Sequence, residues 1–295
     1  MAIIIDGKKI AEKVLLEVKA QLSELKAYKI LPSITVVLVG NDPASETYVN
    51  SKEKKAGELG ISSNKIALPE NTSEEGLLRL IRKLNEDKSV NAILVQFPLP
   101  KQIEERKVRD AISPLKDVDG LNALNIGKLL NGDETLAPCT PKGIIRMLEE
   151  HHIDIEGKHA VVVGRSLLVG KPIANMLLNR NATVTICHSK TKNLGDITKG
   201  ADILVVAVGK PKLISAEMVK KGAVVIDVGT NRLQSKAEKE DVGQASKTKL
   251  VGDVDFDSVS KKASIISPVP GGVGPMTIAM LMVNTLICAK IQNKL

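Results

Sequence analysis

The sequence predicts an α/β protein of two domains with largely parallel sheets and a cleft between the domains. Three observations carry this. Helix-periodic segments alternate with short Val/Ile-rich runs from end to end, a second such series begins after Pro138, and the apolar residues are almost wholly aliphatic. With 295 residues and 43% hydrophobic content the chain can build one large core or two medium ones. Only 1% is aromatic, with no Trp, two Tyr (Tyr28, Tyr48) and two Phe (Phe97, Phe256), so the core must be Ile, Val, Leu, Met and Ala.

In chain order, residues 7–28 read as an amphipathic helix with Ile10, Val14, Leu15, Val18 and Leu22 on one face. SITVVLVG (33–40) reads as a buried strand, followed by a helix from Ala44 to Leu59 and a weak strand near Lys65–Leu68. Thr72 or Ser73 can cap the next helix (73–86), whose early acids suit the positive helix end. AILVQ (92–96) is a strand stopped by FPLP. In the second series, 141–150 and 171–180 read as helices. HAVVVG (159–164), 183–187, 202–206, 223–228 and ASIIS (263–267) read as strands, and 232–248 as a polar surface excursion. A helix follows PVPGGVGP to the end, with Pro275 in its first turn.

Charge and cysteine usage narrow the class. The net charge of +8 and pI near 9.2 favour anionic partners, but nucleic acid is disfavoured because stacking aromatics are missing and the lysines are dispersed. Cys139, Cys187 and Cys288 have no disulfide or metal spacing, so each is expected as a buried thiol in a reducing compartment, with no metal site. The N-terminal apolar run is too short for a signal peptide, and the stretch from Met276 to Ala289 falls short of a span and contains Asn284. A soluble cytoplasmic protein, without a membrane partner, is the expectation.

Two groups of residues carry chemistry. VVVGRSLLVGKP (161–172) offers only a G-x5-G pair, Gly164 and Gly170, at a strand–turn–helix. A strand–turn–helix requires glycines for structural reasons about equally often. No acid lies between Asn179 and Leu194 to bind a ribose hydroxyl. Arg165, Ser166, Ser189, Lys190 and Lys192 instead suit a 2′-phosphate, which favours NADP over NAD. DVGTN (227–231), with Thr230, and AVGKP (207–211) are further loops that can approach a dinucleotide, although ordinary turns look the same.

In the first half, Tyr48 and Lys52 share a helix face at i, i+4. They read either as a proton carrier beside a phenol or as a surface Lys packed on Tyr. Gln96 ends a strand and either serves the site or satisfies a turn. In KDVDG (116–120), Asp119 either accepts from a heterocycle or forms an Asx turn. The four together are the candidate catalytic set, and PVPGGVGPMT (268–277) adds a close-approach loop against which a flat ligand can lie.

ASETYVNSKEKKAGELGI, ILVQFPLP, KDVDGLN, PCTPKG, VVVGRSLLVGKP and PVPGGVGPMT together resemble the bifunctional methylenetetrahydrofolate dehydrogenase/methenyltetrahydrofolate cyclohydrolase family, in family order and over nearly the whole chain. Phe97 departs from the family's usual Leu. The resemblance implies a catalytic domain (1–138 with 274–295) completed by the C-terminal helix, and a Rossmann-like NADP-binding domain (139–273). It also implies a homodimer joined through the nucleotide domain. Folate would lie in the interdomain cleft, flanked by Tyr48, held by Asp119 and bordered by Gly271 and Gly272. Lys52, assisted by Gln96, would manage protons in hydrolysis. Gly164, Arg165, Ser166, Ser189 and Thr230 would form the NADP site. A basic surface could attract the tail of polyglutamylated folates. The alternatives are a dehydrogenase without the hydrolase step, another NADP dehydrogenase acting on a small carbonyl acid, and a non-catalytic binder of nucleotide or folate.

Overall fold

The computed structural model describes residues 1–234 and 248–295, so most of the expected surface excursion (232–248) lies outside the described residues. The chain opens with β1 (Ile3–Ile4) and the long helix α1 (Gly7–Ala27). A three-stranded parallel sheet follows, in order β3-β2-β4, from β2 (Ser33–Val39), β3 (Ser62–Leu68) and β4 (Ala92–Val95). The helices α2 (Pro43–Leu59) and α3 (Glu74–Glu86) connect these strands. The short helices α4 (Glu105–Ala111) and α5 (Ala123–Leu130), absent from the sequence reading, come next, and then α6 (Cys139–Glu150).

The second sheet has six parallel strands in the order β1-β11-β8-β7-β5-β6. Its members are β5 (His159–Val163), β6 (Thr183–Cys187), β7 (Ile203–Val206), β8 (Val224–Asp227), β11 (Ile265–Ile266) and the opening β1. Helices α7 (Gly170–Leu178), α8 (Leu194–Thr198) and α9 (Phe256–Val259) join them. A small antiparallel pair, β9 (Asn231–Gln234) with β10 (Thr248–Val251), stands apart, and α10 (Val273–Gln292) ends the chain.

Two compact units result: Ala11–Lys142 with Thr277–Leu295, and Met1–Ile10 with Gly143–Met276. The sequence reading kept residues 1–138 together, yet the first ten residues belong to the six-stranded unit. The cause is backbone pairing of Ile3 and Ile4 with Ile265 and Ile266, which a two-residue strand does not advertise in sequence. Both cores are aliphatic. Val37, Leu77, Ile81 and Val108 are fully buried in one, and Val161, Leu204, Val206 and Val225 in the other. Each such side chain contributes about 1.5–3 kcal/mol by leaving water.

α10 is 20 residues long and apolar enough to meet the length and composition test for a membrane span, contrary to the shorter stretch expected. However, 56% of that window is buried, as in a core helix. All three cysteines are free and buried.

Glycine spacing fixes two local approaches. Gly57, in α2, has open space around its missing Cβ, whereas a Cβ on Gly252 would overlap the Asp227 carboxylate. That carboxylate accepts from the backbone N–H groups of Gly229 (2.9 Å), Asp253 (2.9 Å) and Val254 (3.0 Å). Gly57→Ala is therefore expected to raise the thermal midpoint, by about 0.5–1 kcal/mol of stability. Gly252→Ala is expected to lower it, by about 1–3 kcal/mol. A thermal melt of each variant checks the pair.

Burial raises the Asp227 carboxyl from 3.8 to about 6, against the three backbone donors that favour its charge. The unfolded chain releases this proton near 3.8 and the folded chain holds it until about 6. Its contribution to stability therefore falls as pH rises through that window and is level above it. The change in thermal midpoint between pH about 5 and about 7 should accordingly be smaller in Asp227→Asn than in the parent. Equal changes would remove this assignment.

Candidate functional site

In the first unit the chemistry collects at the C-terminal ends of β2 and β4, the position where open parallel sheets bind ligands. α2 is launched there by an N-cap: the Asp42 carboxylate accepts from Ser45 N–H at 2.8 Å, with Pro43 opening the helix. Gly60, at φ +80°, closes it. Val49 and Ala56 are fully buried, and Lys52, one turn from each, lies on that inner stripe and is half-buried. Tyr48 lies one turn earlier and is 43% exposed.

Lys52 Nζ donates to Gln96 Oε1 at 2.9 Å, and Gln96 Nε2 donates to the Phe97 carbonyl at 2.7 Å. The second bond sets the amide's sense and leaves its oxygen facing the lysine. Gln96 thus satisfies a turn and holds the Lys52 ammonium at once. Segment 116–118 runs parallel to β4, with Ile93 N–H donating to the Lys116 carbonyl at 2.8 Å and Asp117 bridged to Ile93. Two residues further along, this register carries Asp119 to the end of β4. Burial raises the Asp119 carboxyl, while the nearby Lys52 charge and a hydrogen bond with Cys139 pull it down. Phe97 lies under the Arg109 guanidinium, 5.4 Å from ring centroid to carbon, so the departure at this position gains a cation–π contact.

In the second unit a cavity of about 380 Å³ opens at the ends of β5, β6 and β7. β5 has β6 on one side and β7 on the other, so this is the switch point of the sheet. Gly164, at φ +131°, ends β5 where a Cβ would overlap the Ala207 carbonyl oxygen, and a Cβ on Gly170 would overlap Gly164 itself. The G-x5-G pair is thus required twice over by close backbone approach. Gly164, Arg165 and Ser189 line the cavity, and Lys210 and His188 line it too. Lys210 belongs to the quoted AVGKP loop, but its importance shows only once β7 is placed beside β5. Lys190 and Lys192 are not among the lining residues. The Asp253 carboxylate holds the Val208 and Gly209 N–H groups at 2.7 and 2.9 Å, which fixes the loop carrying Lys210. A bare backbone at Gly164, with Arg165 and Lys210 beside it, fits the phosphates of NADP.

Four other expected residues do not line this cavity. Ser166 turns its hydroxyl inward to accept from the Val169 and Gly170 N–H groups at 3.1 and 3.3 Å, closing the turn into α7. Thr230 is exposed between β8 and β9. Gly271, at φ +103°, and Gly272 belong to the six-stranded unit, where a Cβ on Gly7 would overlap the Gly272 carbonyl. The sequence reading missed Cys139, Lys142 and Asn284 around Asp119. The signals for them were PCTPKG and a lone amide within the apolar C-terminal helix.

The chain matches the family model described as tetrahydrofolate dehydrogenase/cyclohydrolase, catalytic domain, over residues 5–119, and the corresponding NAD(P)-binding domain over 138–293. It is 56% identical over 291 residues to "Bifunctional protein FolD" of Campylobacter hominis, covering 99% of this chain and 98% of that one. The crystal structure of the bifunctional enzyme FolD of Campylobacter jejuni superposes with a TM-score of 0.93 at 48% identity, covering 100% of both chains. The Trypanosoma brucei FolD, solved with NADP and an inhibitor, does so at 0.93 and 37% identity, covering 100% of this chain and 99% of that one. With both halves of the chain matched and both sites assembled at strand C-termini, the protein belongs to the tetrahydrofolate dehydrogenase/cyclohydrolase family.

Proposed function

We infer that this family member is a bifunctional enzyme that oxidises 5,10-methylenetetrahydrofolate to 5,10-methenyltetrahydrofolate with NADP and hydrolyses that product to 10-formyltetrahydrofolate. The observation that carries the residue assignment is the 2.9 Å bond between Lys52 and Gln96, with the Asp119 carboxyl in the electrostatic reach of the same lysine. NADP, when bound, supplies the hydride acceptor. The chain's own residues hold and orient the folate carbon and move protons around it.

Tyr48 borders the folate, and Asp119 accepts hydrogen bonds from N–H groups of its ring. Gly271 and Gly272 give the folate a close backbone edge. In hydrolysis the water oxygen bonds to the methenyl carbon and one ring C–N bond opens. Lys52 takes the proton from that water, with its amine held in line by the Gln96 oxygen. Arg165 and Ser189 meet the 2′-phosphate, Lys210 adds a second cation, Ser166 supports the turn, and Thr230 borders the same site. A cytoplasmic homodimer, paired through the nucleotide-binding unit and accepting polyglutamylated folates, completes the proposal.

Three measurements test it. Lys52→Met should abolish cyclohydrolase activity while leaving measurable dehydrogenase activity; full retention of hydrolysis would remove Lys52 from the mechanism. Absorbance assays with methylenetetrahydrofolate should show rapid reduction of NADP and little of NAD. Arg165→Ala should raise the KM for NADP by about tenfold or more, the worth of a charge-assisted phosphate contact. An unchanged KM would take Arg165 out of the cofactor site.

A further inference from the structure

Asn284 is wholly buried in the middle of α10, the only amide between Met276 and Ala289. Leaving such a group without partners is costly, so its bonds reveal its use. Its Nδ2 donates to the Val118 carbonyl at 2.9 Å and the Ala137 carbonyl at 3.0 Å, with Cys139 Sγ at 3.5 Å. Its Oδ1 accepts from Lys142 Nζ at 2.9 Å, and the same ammonium donates to the Thr135 carbonyl at 3.1 Å.

This fixes the sense of the amide. A flipped Asn284 would turn its oxygen toward two carbonyl oxygens and its NH2 toward an ammonium, so Lys142 permits one orientation only. Burial lowers the Lys142 ammonium from its ordinary value, which marks how far that charge is withdrawn from water.

The Val118 carbonyl belongs to the peptide that leads directly into Asp119. Cys139 Sγ donates to the same carbonyl at 3.3 Å, and its thiol is among the groups that draw the buried Asp119 carboxyl down. On the other side of Asp119, Gly120 sits at φ +68°, where a Cβ would come within 2.5 Å of the Leu136 carbonyl oxygen and 2.6 Å of the Ala137 carbonyl carbon. Segments 117–120 and 135–139 are therefore pressed together, and Asn284 ties both from behind.

We propose that Asn284, held in one orientation by Lys142, is a positioning residue for Asp119, fixing the peptide that aims its carboxyl at the folate ring. The proposal rests on the reading of Asp119 as a folate-binding group. Neither Asn284 nor Lys142 is assigned contact with the substrate.

The test is steady-state kinetics of Asn284→Leu, Asn284→Ser and Lys142→Met beside the parent. Each folded variant should raise the KM for methylenetetrahydrofolate by about tenfold, ~1.4 kcal/mol, with the KM for NADP within about twofold of the parent's. Lys142→Arg, which keeps a cationic donor, should restore much of the folate KM. A lower thermal midpoint with both KM values unchanged would make Asn284 a core residue only and overturn the proposal. Failure of all three variants to fold would do the same. Parent protein that turns over no folate would instead sink the functional reading itself, so the two failures are distinguishable.

Discussion

Everything in this molecule depends on parallel strands that are buried on both faces. β4, β7 and β8 are buried along their whole lengths and β5 beyond its first residue, and such a strand has little room for polar side chains along its length. Chemistry is displaced to the strand ends, where the backbone turns and the central strand of each sheet has neighbours running to either side. Gln96 and Asp119 appear there in one unit, and Gly164, Ser189 and Lys210 in the other. The two sites are two uses of one constraint.

That constraint explains why much of the fold was legible in the sequence. A run such as SITVVLVG reads as a buried strand in a chain with so few aromatics, and the alternation with helical periods points to a parallel sheet. The elements that escaped are those whose identity depends on a partner. β1 has two residues and exists because Ile265 and Ile266 offer it an edge, while α4 and α5 are one to two turns held by packing. Tyr48, Lys52, Gln96 and Asp119 stand out in the sequence because each is an odd residue at a strand end or on a helix face. The supporting residues were harder to see. Cys139 reads as a small apolar filler until Val118 and Asp119 are placed against it, and Ser166 reads as a phosphate ligand until its hydroxyl is seen to close the turn before α7.

The acids of the nucleotide unit have a role unlike that of Asp119. Asp227 and Asp253 spend their carboxylate oxygens on backbone N–H groups, five in all, and hold the loops after β7 and β8 against each other. DVG (227–229) and GDV (252–254) are thus one interlocked unit, with glycine where no Cβ can fit. Asp227 keeps its charge cost internal to the scaffold and is not among the residues lining the cavity that carries Arg165 and Lys210.

The scarcity of aromatics reaches beyond packing. Without tryptophan, and with Tyr28 and Tyr48 both exposed, the near-ultraviolet spectrum of the protein comes from two phenols. Pterin and reduced nicotinamide chromophores would be seen against an almost dark polypeptide. With Tyr48 beside the folate as proposed, any change in its emission on adding folate would have only one other tyrosine to be separated from.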